Sequence, residues 1–75
     1  MTNPITPDEQ AEIDNWFTYH PPTPEKLEQY NFVRSHSKEL ARYVLAEVPR
    51  SADRTAALRS LRGTVMAINL AIACN

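Results

Sequence analysis

Apolar side chains recur along this sequence at helical spacing, and strict alternation is nowhere sustained. Leu27, Tyr30, Val33, Leu40 and Val44 follow one another at intervals of three, three, seven and four, which predicts one amphipathic helix face. Further on, Leu58, Leu61, Val65, Ile68 and Ile72 recur at three, four, three and four and predict a second such face. The opposite side of that later helix is also apolar or small, with Gly63, Met66, Ala67, Leu70, Ala71 and Cys74. A helix apolar on two sides must bury both. A partner helix in the same chain covers one of them, so the second predicts packing against another protomer. Gly63, Ala67 and Ala71 form a small-residue line along which a backbone can approach closely. Glycine in a helix interior costs about 1 kcal/mol relative to alanine, which close packing would offset.

Prolines and caps divide these patterns into elements. Thr6-Pro7-Asp8-Glu9 reads as an N-cap, a proline at the first helical position and the glutamate of a capping box. It opens a short helix over about 7–17. Tyr19-His20-Pro21-Pro22 cannot continue it, because proline lacks an amide donor and forces the preceding residue to be extended. Thr23-Pro24-Glu25 repeats the cap-plus-proline signal and opens a long helix over 24–47, which Val48-Pro49-Arg50 ends. Ser51 then caps a third segment, giving a helix over about 51–74. The expected fold is all-α, a single domain over 1–75 in which a short helix precedes a long antiparallel hairpin that assembles as a homo-oligomer.

Size makes assembly the natural staple. A monomer of 75 residues buries only about 60% of its unfolded surface and is marginal alone. One cysteine allows no internal disulfide, and two histidines offer no zinc-finger spacing. No uninterrupted apolar run reaches about 18 residues, and the N-terminus lacks a basic stretch followed by an apolar one, so the expectation is a cytoplasmic protein without a membrane span. The net charge of −1 hides an asymmetry: residues 1–28 carry Asp8, Glu9, Glu12, Asp14, Glu25 and Glu28 against Lys26, whereas residues 29–75 carry seven bases against Glu39, Glu47 and Asp53. That split disfavours general DNA binding, which wants a uniform positive field.

Catalytic chemistry has little support. Cys74 sits in an apolar stretch with no histidine near it and reads as a packing residue. The early carboxylates read as a solvated face and as partners of helix N-termini. There is no glycine-rich phosphate loop, no metal-ligand spacing and no nucleophile motif, so no cofactor and no metal are expected. Binding is better supported. Trp16, Phe17, Tyr19 and His20 crowd into five residues at the proline break. Trp16 and Phe17 read as anchors of the short helix, whereas Tyr19 and His20 lie in the break itself with polar tips. A tyrosine on a proline-stiffened loop is a stacking platform, worth about 1–3 kcal/mol per base in single-strand binders. Arg34, Lys38 and Arg42 recur every fourth residue as a basic ridge beside the apolar face, with Glu39 and Glu47 placed to neutralise part of it. Arg59 and Arg62, with Arg54 earlier, form a second basic set, and arginine's planar fork suits phosphate. A solvated basic face is the bland reading of the Arg34, Lys38 and Arg42 ridge.

Taken together, Phe17-Thr18-Tyr19-His20-x-Pro22, then Tyr30-x-x-Val33-Arg34-x-x-x-Lys38-x-Leu40-Ala41, then Ser51 to Arg54 with Ala57-Leu58, Leu61, Val65-Met66, Asn69 and Ala71-Ile72-Ala73, resemble the small phage anti-CBASS protein 2 family. The resemblance covers about residues 16–75. It implies a helical hairpin that assembles as a homohexamer in the host cytoplasm and acts as a sponge rather than an enzyme. Such sponges hold cyclic dinucleotides such as 3′,3′-cGAMP between protomers, and some members also hold cyclic trinucleotides, so that defence effectors are not activated. By the family pattern Tyr19 stacks on a base and Arg34 contacts phosphate, with Phe17, His20, Pro22, Lys38, Arg59 and Arg62 as pocket neighbours. A neighbouring sponge family with the same hairpin captures cyclic ADP-ribose isomers made by Thoeris defence. Outside that class stands a helical interaction module that docks on a host or defence protein through its second apolar face.

Overall fold

Three helices account for most of the chain in the computed structural model, which describes residues 2–75: α1 (Pro7–Phe17), α2 (Pro24–Glu47) and α3 (Ala52–Cys74). No strand occurs among the described residues. Each helix begins at a capping side chain. Thr6 Oγ1 accepts from the Glu9 amide at 3.1 Å while the Thr6 amide donates to Glu9 Oε1 at 3.0 Å, a closed capping box that holds the Glu9 carboxyl below its ordinary pKa. Thr23 accepts from the Lys26 amide and Ser51 from the Arg54 amide, satisfying donors that have no partner inside the helix.

Helices α2 and α3 pack side by side and antiparallel across the short connection 48–51. The half-buried positions define the seam: Lys26, Tyr30, Val33, Ser37, Ala41 and Val44 on α2, against Arg54, Leu58, Leu61, Val65, Asn69 and Ile72 on α3. The ammonium of Lys26 donates to the Ala73 carbonyl at 3.1 Å, which sets the register. In that register Tyr30 is level with Asn69, and Val33 with Val65. The seam differs from the apolar stripe of the sequence at three places. Leu27 and Leu40 are half exposed, and Ile68 lies at the margin while Asn69 takes the inward position. Spacings of three and four fit either neighbour, and a contact one helix wide selects the one nearest the partner axis. Asn69 thereby joins Lys26, Ser37 and Arg54 as a polar residue in the seam.

No side chain is fully buried among the described residues. The radius of gyration is 17.1 Å, where a compact chain of this length has about 11 Å. The molecule is a slab, 50 × 40 × 13 Å, so it is one helix layer thick. Its 40 Å breadth exceeds what two adjacent helices occupy, because α1 projects away from the hairpin instead of lying along it. Trp16 and Phe17, expected as core anchors of α1, are 54% and 85% exposed, since a single chain offers them no core.

A further departure concerns α3. By length and composition it is long and apolar enough to cross a membrane, although no uninterrupted apolar run is that long. Any 18-residue window within it contains both Arg59 and Arg62, each costing about 2.5–3.5 kcal/mol at a bilayer centre, and one of its faces already packs on α2.

Candidate functional site

The expected binding residues lie on two parts of the surface. The first is the connection between α1 and α2, residues 18–23, which passes the C-terminal end of α3. Helix α1 ends because Thr18 turns extended and its hydroxyl donates back to the Asp14 carbonyl. His20 Nε2 lies 2.6 Å from the Asn15 carbonyl, so the ring nitrogen donates there and ties the connection to the last turn of α1. Asn15 also reaches the other way, its Nδ2 donating to the Cys74 carbonyl at 3.1 Å, while Cys74 Sγ donates a long bond to the Asn15 carbonyl at 3.9 Å. The end of α3, with its partial negative charge and unpaired carbonyls, thus receives Asn15 from α1 and Lys26 from α2 on consecutive residues.

These bonds leave Tyr19 facing out. Tyr19 is 81% exposed, whereas its neighbour His20 is half-buried. Phe17 lines an open groove with Glu12, Asn15, Trp16, Leu70, Ala71 and Cys74. Pro22 is exposed and fixes the backbone just before the cap of α2.

The second part is basic. At 100° per residue, Arg34, Lys38 and Arg42 share one flank of α2, and Arg59 and Arg62 share one flank of α3. Antiparallel packing brings those two flanks to the same side of the slab. The groove where Leu45 meets Thr55 beside Arg50 and Arg54 marks that side. Grooves where Gln29 meets Ile68 mark the other. In the register set by Lys26 and Ala73, Arg62 falls between the levels of Arg34 and Lys38, and Arg59 falls between those of Lys38 and Arg42. Five cations therefore share one face within about 12 Å of helix axis. Glu39 lies three residues before Arg42 and so neighbours that end of the ridge, whereas Glu47 falls on the other flank of α2. Arg34 donates from Nη1 to Asn31 Oδ1 at 3.2 Å, a neutral partner that leaves its charge available.

Sequence reasoning passed over two groups that the structure brings forward. One is Asn15, the joint between α1, the connection and α3; a lone asparagine in a helix carries no periodic signal, and its bonds reach 59 residues along the chain. The other is the pair Phe32 and His36, whose rings stack at 3.9 Å on the flank of α2 opposite the basic ridge, with His36 Nδ1 bonded to the Phe32 carbonyl at 2.8 Å. Their four-residue spacing was the available signal.

The loop and the basic face do not meet in one chain. Arg34 is about 15 Å along the axis of α2 from Pro24, where the connection ends. A cleft that uses both needs another surface to close it. No cluster of potential metal ligands exists among the described residues. No curated protein and no solved structure matches the chain. Residues 9–73, which include all of the hairpin but its last residue, the connection and most of α1, match the family model described as Acb2/Tad1, hairpin domain. With that match spanning most of its length, the chain belongs to the Acb2/Tad1 hairpin-domain family.

Proposed function

We propose that this chain is a phage anti-defence sponge that binds cyclic oligonucleotide second messengers and holds them without degrading them, so that CBASS effectors in the host cytoplasm are not activated. The family match over residues 9–73 carries this reading. The surface chemistry supports it: a base needs a flat apolar partner and Tyr19 presents one, while the phosphates of a cyclic dinucleotide need fixed cations and Arg34 heads a face that supplies five. Lys38, Arg59 and Arg62 lie on the same face as Arg34. Sequestration needs affinity and closure but no acid, base or nucleophile. The open surfaces of the single chain favour pockets formed between protomers of a homohexamer, where Tyr19 of one copy and the basic face of another would enclose one ligand.

The test is incubation of the protein with a panel containing 3′,3′-cGAMP, other cyclic dinucleotides, cyclic trinucleotides and cyclic ADP-ribose isomers. Free ligand is then measured by chromatography before and after the protein is heated. We expect a cyclic dinucleotide to disappear and to return intact on heating. Altered ligand would make the protein an enzyme. No depletion of any member would favour an interaction module. Because the matched family joins two names under one hairpin, the cyclic ADP-ribose arm is a necessary part of the panel.

A further inference from the structure

We propose that Asn15, His20 and Lys26 form a positioning bracket that holds the Tyr19 loop rigid for stacking, an inference that rests on the cyclic-nucleotide reading above. Two anchors straddle the connection 18–23: Asn15 Nδ2 on the Cys74 carbonyl at 3.1 Å and Lys26 Nζ on the Ala73 carbonyl at 3.1 Å. Between them, His20 Nε2 closes on the Asn15 carbonyl at 2.6 Å. Pro21 and Pro22 remove backbone freedom from the stretch that follows. Every residue beside Tyr19 is therefore tied or stiff, while Tyr19 itself is 81% exposed with its ring unoccupied by packing.

An exposed aromatic ring on a loose loop must be ordered when a ligand binds, and that entropy is subtracted from the stacking energy. A loop ordered beforehand avoids the loss. His20 thereby takes a different role from the ligand neighbour that the resemblance implies: its Nε2 is committed to Asn15, and it acts on ligand through Tyr19. Asn15 and Lys26 likewise act through the loop, Lys26 with the added attraction of its charge for the C-terminal end of α3.

The closing experiment combines calorimetric titration of 3′,3′-cGAMP with backbone ¹⁵N relaxation on the full chain. Variants are Asn15→Asp, which keeps the shape and removes the donor, His20→Ala, Lys26→Ala, and Tyr19→Ala alone and combined with Asn15→Asp. We expect Asn15→Asp and His20→Ala each to weaken binding about five- to tenfold. Order parameters at the Tyr19 and His20 amides should fall from about 0.85 toward 0.6 while those of α2 and α3 hold. In the Tyr19→Ala background Asn15→Asp should have no further effect on affinity, which a general loss of stability would not reproduce. Unchanged affinity, or a full additive loss in the double variant, overturns the bracket. If the unmodified protein binds no 3′,3′-cGAMP, the nucleotide reading fails for that ligand and relaxation alone decides the bracket: a loosened loop in Asn15→Asp upholds it and an unchanged loop overturns it.

Discussion

In the proposed site, Tyr19 and Arg34 are single side chains whose positions are set by others. Tyr19 offers an exposed ring in the connection itself, while Phe17, 85% exposed two residues earlier, lines the groove beside Leu70. Arg34 has neighbours of the same charge, but it is nearest to the loop end of the ridge. Replacing either residue with alanine should weaken cyclic dinucleotide binding by about tenfold or more, equivalent to about 1.4 kcal/mol, and leave the assembly intact. Calorimetry checks the first part and light scattering the second. An unchanged dissociation constant for one variant would remove that residue from the site. The motif Tyr19-His20-x-Pro22 made the loop conspicuous in the sequence, because prolines beside aromatics have no role in a helix. The division of labour within it was not legible there: that His20 turns inward and Tyr19 outward follows from a bond to the Asn15 carbonyl that no spacing announces.

At the scale of elements, local chemistry decides the helices and long-range contact decides their faces. Thr6, Thr23 and Ser51 each bond the amide three residues on, so the starts of α1, α2 and α3 could be read from residue type alone. The facing of α2 could not, because Leu40 and Ala41 both satisfy the period and only the position of α3 makes Ala41 the inner one. Helix α3 keeps the property that made it conspicuous: with its seam against α2, Met66 and Leu70 are still 58% and 63% exposed, and a Cβ added at Gly63 would meet nothing within 4 Å. In an isolated hairpin, Gly63→Ala should therefore stabilise by up to about 1 kcal/mol, and a leucine there should be tolerated. If a second copy packs along Gly63, Ala67 and Ala71, Gly63→Leu should instead disrupt assembly while circular dichroism shows the helices retained. Light scattering of Gly63→Leu separates the two outcomes, and an intact oligomer would show that this line is not the contact.

As a single chain the molecule is open, and its surface area says by how much. It exposes 6553 Å², whereas a compact monomer of 8.5 kDa exposes about 4,650 Å². The excess, roughly 1,900 Å² on one chain, is more than twice the roughly 800 Å² that one partner contributes to a standard interface. Large exposed apolar side chains lie on all three helices, among them Trp16 and Phe17 on α1, Phe32 and Leu45 on α2, and Met66 and Leu70 on α3. Self-association would cover these surfaces and at the same time supply the missing wall between the Tyr19 loop and the basic face, so stability and ligand binding would share a cause. Trp16 makes this measurable, being the sole tryptophan and 54% exposed on the projecting helix. In the assembled protein its emission should be shifted to the blue, as for a ring removed from water, and dilution through the dissociation range should shift it to the red. Scattering mass over the same range should fall together with that shift, from a multiple of 8.5 kDa, six for a hexamer, toward one. Concurrent transitions would mean that α1 is part of the contact. A red emission that does not change while the mass falls would place the contact on α3 alone, and a mass of one chain at micromolar concentration would rule out assembly as the source of the missing core.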